Sequence, residues 1–415
     1  MSPRRADAIR RPSVTFSRSF RSRPDSWPPL IVPENIPTPD QVGASGTSLP
    51  SDNGGTLRVL SLDGGGMRGY YSAMYLATLA RHYAKTRGTG ALDIGAGFDL
   101  ITGTSTGAIL ACALAKGKDL SGIARIYSDC GAEIFKKRLP QSFWRLLAFL
   151  PGHRNRLRDG AGALRKELVE QFGETTLLDI WRDRGIALAI PTVNLSDHRA
   201  RVFKTPHLRN SRHRDDDYTL VDICLASTAA PIYRSLARVP VPGSDGNEVF
   251  LDGGLWANSP VLVGLIDALE VATTQDRIEV YSLGTSPPPK GEPAERDDVD
   301  RGVFKWRFGG GVIGVSLDAQ QFASHQMARM LSHHLRRECA VIRFPHTEIP
   351  SLAAAHFDLD ATDESSLRAM AAQARSDVNR TLSCSGDSAD YDGRLIHQLF
   401  QGLPVGPPNH QRDTP

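Results

Sequence analysis

The sequence predicts an α/β protein, a three-layer αβα sandwich with a mostly parallel central sheet and a C-terminal helical extension. Three observations predict it. Between Leu57 and Lys116 a short apolar run, a glycine-rich turn and a helix-forming stretch follow one another twice, and repeating that unit builds a parallel sheet covered by helices on both faces. Short runs of strand composition recur as far as Phe344, with helix-forming stretches between them. From Ser316 onward the chain reads mainly as helix.

Leu57 to Leu62 alternates as a strand does, and after Asp63 and a glycine run the stretch Tyr70 to Arg87 is helical, with Met74, Tyr75, Ala77, Leu79 and Tyr83 available for a buried stripe. Phe98 to Thr102 is the second strand. Gly103-Thr104-Ser105-Thr106-Gly107 is its turn and Ala108 to Lys116 its helix. Further strands are expected at Ile186–Leu195, Arg201–Thr205, Val249–Leu251, Ile278–Leu283 and Ala340–Phe344. Asn258 or Ser259, followed by Pro260, has the pattern of an N-cap and first-turn proline opening a helix through Leu269. A surface loop is expected from Pro287 to Arg301, then helices over Ser316–Arg336 and Asp363–Val378.

These elements divide the chain into a disordered Arg- and Pro-rich arm and linker over 1–55, a core over 56–286, a C-terminal extension packed on the core over 287–403 and a disordered tail over 404–415. At 415 residues, 40% hydrophobic and 23% charged, the composition is globular. Forty-nine basic against 46 acidic residues leave a net charge of +3, too little for a chain whose business is neutralising phosphates, so no nucleic-acid partner is expected. Cys112, Cys130, Cys224, Cys339 and Cys384 lack the paired spacing of a zinc or redox motif and suit a reducing compartment. No run reaches the roughly 18 apolar residues of a spanning helix; the richest, Phe143 to Leu150, is interrupted by Arg145 and followed by Arg154, Arg156 and Arg158. That stretch suits either a membrane-surface segment or the end of a core helix. No apolar signal-peptide region opens the chain, so a cytoplasmic protein, peripherally membrane-associated when active, is expected. The first 25 residues, with seven Arg against Asp7 and Asp25, suit an anionic lipid surface as well as a solvated tail.

Gly103 to Gly107 has the pattern of a nucleophile elbow, in which a serine at a sharp strand-to-helix turn presents its hydroxyl to substrate. Alone, the pattern equally fits a turn capping a helix. Gly64-Gly65-Gly66-Met67-Arg68-Gly69 matches a dinucleotide-binding glycine pattern. The acid that should follow about 20 residues on has only Asp93 to answer for it, in a glycine-rich loop. Beside an elbow, the free N–H groups of such a loop serve better as an oxyanion hole. A serine nucleophile needs a base. None of the twelve histidines sits in a context that marks it: His325, His333 and His334 fall in an expected helix, and His198, His207 and His213 in Arg-rich loops. Asp252 ends the apolar run Val249-Phe250-Leu251 and precedes Gly253-Gly254, at a carboxyl end of a strand where sites in parallel sheets are built; a plain Asp turn has the same appearance.

Asp-Gly-Gly-Gly-x-Arg-Gly at 63–69, Gly-x-Ser-x-Gly at 103–107 and Asp-Gly-Gly at 252–254, in this order, together resemble the patatin-like phospholipases, whose dyad is Ser-Asp without His. Ala226-Ser227-Thr228-Ala229-Ala230-Pro231 resembles the segment that precedes the catalytic Asp in that family. The resemblance spans roughly Leu57 to Thr285. It implies Ser105 as nucleophile, Asp252 as general base, and the N–H groups of Gly65, Gly66 and Met67 as oxyanion hole, with Arg68 fixing the loop and no metal or cofactor. The implied activity is a phospholipase A-type hydrolysis of membrane glycerolipids. Some bacterial members act as antiviral effectors switched on by a cyclic nucleotide, and the Arg-rich segments and C-terminal third leave room for such an activator. Two other functions stay open: a carboxylesterase of soluble esters with the same dyad, and a non-catalytic nucleotide-binding protein using the Gly64–Gly69 loop.

Overall fold

The computed structural model describes residues 55–134, 153–273, 275–285, 302, 306 and 310–406. The Arg-rich arm to residue 54, the apolar stretch at 143–150, the loop expected at 287–301 and the tail from 407 lie outside the described residues.

The first half of the described chain forms β1 (Thr56–Leu62), α1 (Gly69–Thr86), β2 (Leu100–Gly103), α2 (Thr106–Ala115), α3 (Leu120–Ile134), α4 (His153–Phe172), α5 (Leu177–Arg184), β3 (Ala187–Asn194) and β4 (Arg199–Lys204). The second half forms α6 (Leu220–Ser227), β5 (Ala237–Pro240), β6 (Asn247–Asp252), α7 (Gly254–Ala257), α8 (Val261–Val271), β7 (Arg277–Leu283), α9 (Gly310–His334), β8 (Cys339–Arg343), α10 (Glu364–Gly386) and α11 (Tyr391–Gly402). One sheet runs β5-β6-β3-β2-β1-β7-β8, with β4 paired to β3. The pairs β3-β2, β2-β1, β1-β7 and β7-β8 are parallel. The architecture is the expected three-layer α/β sandwich, and β1 shows why: Leu57 and Val59 pack with Val261 and Leu265 of α8, whereas Leu60 and Leu62 pack with α1, α2 and α3. Period-two alternation thus feeds two cores, one on each face.

The C-terminal elements close both faces. β8 extends the parallel edge, α9 packs on α8, and α10 lies along α1. Tyr71 donates its hydroxyl to Asp377 at 2.7 Å, Tyr75 bonds Thr381, and Thr347 N–H reaches Asp377 at 2.8 Å. The buried Asp377 carboxylate is therefore satisfied across the α1-α10 seam, as a buried acid must be to avoid a large desolvation cost.

The antiparallel end of the sheet departs from expectation. β6, read as one more strand of a parallel sheet, pairs antiparallel with β3, with Asp252 opposite Thr192. A strand has two edges. β4 takes one edge of β3 from Ala189 to Asn194, so β2 (opposite Ala187 to Ala189) and β6 (opposite Thr192 to Asn194) share the other. β6 thus runs back toward the end of β2 along the overhang of β3, and its last residue arrives where β2 gives way to Ser105. The start of α8 also differs: neither Asn258 nor Ser259 caps it, Pro260 stands at the N-cap, and the first helical residue is Val261. Among the described residues, no helix is long and apolar enough to cross a membrane.

Candidate active site

The loop after β1 is pinned from several directions. Asp63, 1% exposed, accepts from Arg343 of β8 at 2.7 Å and from Gln321 of α9. Gly64 N–H donates to Asn258 O at 2.8 Å, and Thr285 Oγ1 donates to Gly64 O at 3.1 Å. Gly66 has φ of 57°, and a Cβ there would lie 2.3 Å from Leu359 O. Both the backbone angle and the close approach exclude a side chain. Arg68 turns back to donate from Nε to Gly65 O at 3.3 Å, and Gly69 opens α1.

The expected oxyanion set needs one correction. The N–H of Met67 donates to Leu359 O at 2.8 Å, so it is already engaged by the C-terminal part of the chain. Among the described residues, the N–H groups of Gly65 and Gly66 have no protein partner.

At the end of β2 the chain turns sharply at Ser105, φ 54° and ψ −121°, before entering α2. The turn is crowded: a Cβ on Gly103 would lie 2.2 Å from Gly107 O, and one on Gly107 would lie 2.3 Å from Leu62 O. Glycine at both positions lets helix and strand approach so closely. Ser105 N–H donates to Ser227 Oγ at 2.9 Å, and Ser227 Oγ donates on to Pro191 O at 2.7 Å. All of α2 is buried, and its N-terminus directs a partial positive charge at the serine.

Asp252 meets this turn from β6. Ser105 Oγ donates to Asp252 Oδ2 at 2.7 Å, and Gly254 N–H donates to Oδ1 at 2.7 Å. Asp252 N–H donates to Ala229 O at 3.0 Å, and Gly253 N–H to Ser227 O at 3.3 Å. Gly65, Gly66, Ser105 and Asp252 open on one cavity of about 870 Å³, part of it open to solvent. Its walls are mostly apolar, among them Ile109, Ile126, Leu164, Ile313 and Leu317. Among the described lining residues, Asp252 and Arg234 carry the charges and none is histidine.

The Patatin-like phospholipase family profile matches residues 60–265. A cGAMP-activated phospholipase of Pseudomonas aeruginosa is 36% identical over 280 residues, 66% of this chain and 75% of that protein. Proteins of the same name from Vibrio cholerae and Escherichia coli are 30% and 31% identical, spanning 81% and 78% of this chain and 94% and 89% of theirs. The chain belongs to the patatin-like phospholipase family. This patatin-like phospholipase is accordingly a hydrolase, and the two alternative functions are not favoured.

Burial sets the electrostatics of the site. It raises the Asp252 carboxyl to about 6, against the opposing pull of the Ser105 and Gly254 hydrogen bonds and the Arg234 charge. A carboxylate so placed is mostly ionised at pH 7 yet basic enough to take a proton. Burial also lowers the Arg234 guanidinium to about 10. No histidine lines the cavity among the described residues. His207, buried, bonds Thr205 at 2.8 Å and Asp267 at 3.3 Å, and burial pushes His325 in α9 down to about 4. Among the described residues, no group of three His, Cys, Asp or Glu could hold a metal ion.

Sequence reasoning missed three participants. Ser227 lay in the segment that resembles the one preceding the catalytic Asp in the family, but its bond to Ser105 N–H needs the fold. Arg234 was one arginine among many, and Leu359 gave no sign at all, since only its carbonyl is used.

Proposed function

We propose that this patatin-like phospholipase cleaves fatty-acyl esters of membrane glycerophospholipids through an acyl-enzyme on Ser105. Ser105 Oγ attacks the ester carbonyl carbon as its proton passes to Asp252 Oδ2. The carbonyl oxygen, now negative, is met by the N–H groups of Gly65 and Gly66 and by the N-terminus of α2. The C–O bond breaks, and the lysophospholipid oxygen takes the proton from Asp252 as it leaves. A water molecule then gives its proton to Asp252 and attacks the acyl carbon, and the fatty acid departs with Ser105 restored. The hydrogen bond of 2.7 Å between Ser105 and the buried Asp252, facing an apolar cavity, carries this reading. An acyl chain fits that apolar lining, and the ester lies at its polar end.

In the same reading, residues 56–286 are the hydrolase core, and the 287–403 extension supports its loop through Arg343 and Leu359. The enzyme works peripherally at the cytoplasmic face of a bilayer, and cGAMP switches it on, as the names of its relatives suggest. The test is fatty-acid release from phospholipid vesicles, with and without cGAMP, by the wild-type chain and S105A. Release that depends on Ser105 supports the hydrolase reading, and stimulation by cGAMP supports the switch. Release that is equal with S105A removes the serine from its role.

A further inference from the structure

The segment between α6 and β5 has its polarity reversed. Ile232 and Leu236 are 41% and 43% exposed, while Arg234 between them is 7% exposed and turned into the cavity that holds Ser105. Ile232 has φ of 74°, a conformation a β-branched residue adopts only under strain. The turn is closed by Arg234 N–H donating to Ala230 O at 2.9 Å and is tied to the site strand where Ala229 O accepts Asp252 N–H. Packing alone favours the opposite arrangement, because burying isoleucine is favourable and burying an unpaired guanidinium is costly. Strain and lost burial are tolerated here to place one cation in an apolar cavity.

That cation feels the charge of Asp252 but is not held by it. Among the described residues, no hydrogen bond and no ion pair reaches the Arg234 guanidinium. The nearby Asp252 is committed to Ser105 and Gly254 through its two oxygens. Arg68 differs: it bonds Gly65 O and lies in the field of Asp318, Asp358 and Asp63. The loop arginine has a hydrogen bond and three carboxylates around it, whereas the cavity arginine has the field of Asp252 and no hydrogen bond among the described residues.

We propose that Arg234 is the subsite for the phosphodiester of the glycerophospholipid, an inference that rests on the phospholipase reading above. The phosphate of such a lipid lies a few bonds from its ester carbonyls, so an anion-binding group must share the cavity with the nucleophile. A guanidinium offers two parallel N–H donors to two phosphate oxygens, and water-poor surroundings strengthen the pair. Arg234 thereby selects phospholipids over neutral glycerides and sets the distance from phosphate to scissile ester.

The test compares phosphatidylcholine with diacylglycerol of identical acyl chains, in the same detergent micelles with cGAMP present, for wild type, R234Q and R234K. The ratio of kcat/KM for phospholipid to that for diacylglycerol should fall about 10- to 100-fold in R234Q, mainly through KM, with part regained in R234K. Equal losses on both lipids, with the acid limb of the pH profile moved upward, would overturn the proposal, since Arg234 would then act through Asp252. A second measurement needs no variant. With wild type hydrolysing p-nitrophenyl butyrate, glycerophosphocholine should inhibit competitively and glycerol should not. No inhibition by glycerophosphocholine, or inhibition by inorganic phosphate alone, rules out a headgroup subsite. Failure of the underlying reading looks different: wild type would then hydrolyse the neutral esters and release nothing from phosphatidylcholine.

Discussion

The two halves of the site are built in different ways. Ser105 and the glycine loop sit at the carboxyl ends of two neighbouring parallel strands, β2 and β1, each joined by a short turn to a helix. Asp252 and Arg234 come from the antiparallel end of the sheet, where β6 runs back along β3 and a strained turn holds the arginine. In the first half, position is encoded locally by glycines that allow sharp turns and close approach. In the second it is held by bonds between distant segments, Ser105 N–H to Ser227 Oγ and Asp252 N–H to Ala229 O among them. A local code tolerates no side chain at its turns. A long-range one fails when a single linking atom is lost.

The largest effect should come from the tip of the local half. S105A should lower turnover by about 10⁴ to 10⁶ while shifting the melting temperature little, and paired assays of fatty-acid release and thermal unfolding separate the two. Retention of more than a few per cent of activity would place the nucleophile elsewhere.

D252N removes the base from the long-range half and should be nearly as damaging, with little further loss in the S105A/D252N double variant. Wild-type kcat/KM should rise with pH through about 6, the value to which burial lifts this carboxyl. Stability should move the other way. The folded state holds the Asp252 proton more tightly than the unfolded one, whose value is near 3.8. The folded chain therefore loses stability as pH rises from about 4 to about 6, by on the order of 3 kcal/mol, and does not regain it at pH 8. Asn has no such cost, so D252N should melt at or above wild type at pH 8, with the difference shrinking at pH 4. A D252N that melts well below wild type at pH 8 would make Asp252 a structural anchor.

The halves can also be broken without touching the reacting atoms. G107A places a Cβ 2.3 Å from Leu62 O, and relieving that contact should cost about 1–3 kcal/mol, read as a lowered melting temperature. S227A deletes the atom joining Ser105 to Pro191 and leaves the buried Ser105 N–H unpaired, at about 1–3 kcal/mol, with turnover down about tenfold as the serine loses its fixed position. An S227A enzyme as active as wild type would show that the elbow holds itself. Smallest of all, H198A, H325A and H333A should each leave kcat within about twofold. A histidine variant that is folded but inactive would replace the dyad by a triad.

Much of the local half could be read from residues 57–116, because its constraints are one-body constraints. β1 and β2 announce themselves by apolar runs of strand length, and Gly66, Gly103 and Gly107 stand where no Cβ fits. The same glycines mark the sharp turn on which Ser105 sits, and only the three motifs taken together give that serine a role. Asp252 was legible only as an acid after an apolar run, and the parallel course expected for its strand was wrong. Strand direction depends on which edge of β3 remains free, and no stretch of β6 carries that information. The N-cap expected at Asn258 or Ser259 failed likewise, since Asn258 O is spent on Gly64 N–H and the chain runs through Pro260 before turning helical.

The sequence by itself determined the α/β class and the two glycine-rich turns, with Ser105 at the tip of the second, because backbone sterics at glycine and the two-residue period of a strand act over a few neighbouring residues. Only the tertiary structure decided that Asp252 meets Ser105 at 2.7 Å, that Leu359 takes the N–H of Met67, and that Arg234 is buried while Ile232 is exposed. Each of these is a pairing across tens to hundreds of residues. Its free energy depends on desolvation and on which partner lies within reach of a buried donor or charge, quantities that exist only once the layers have packed.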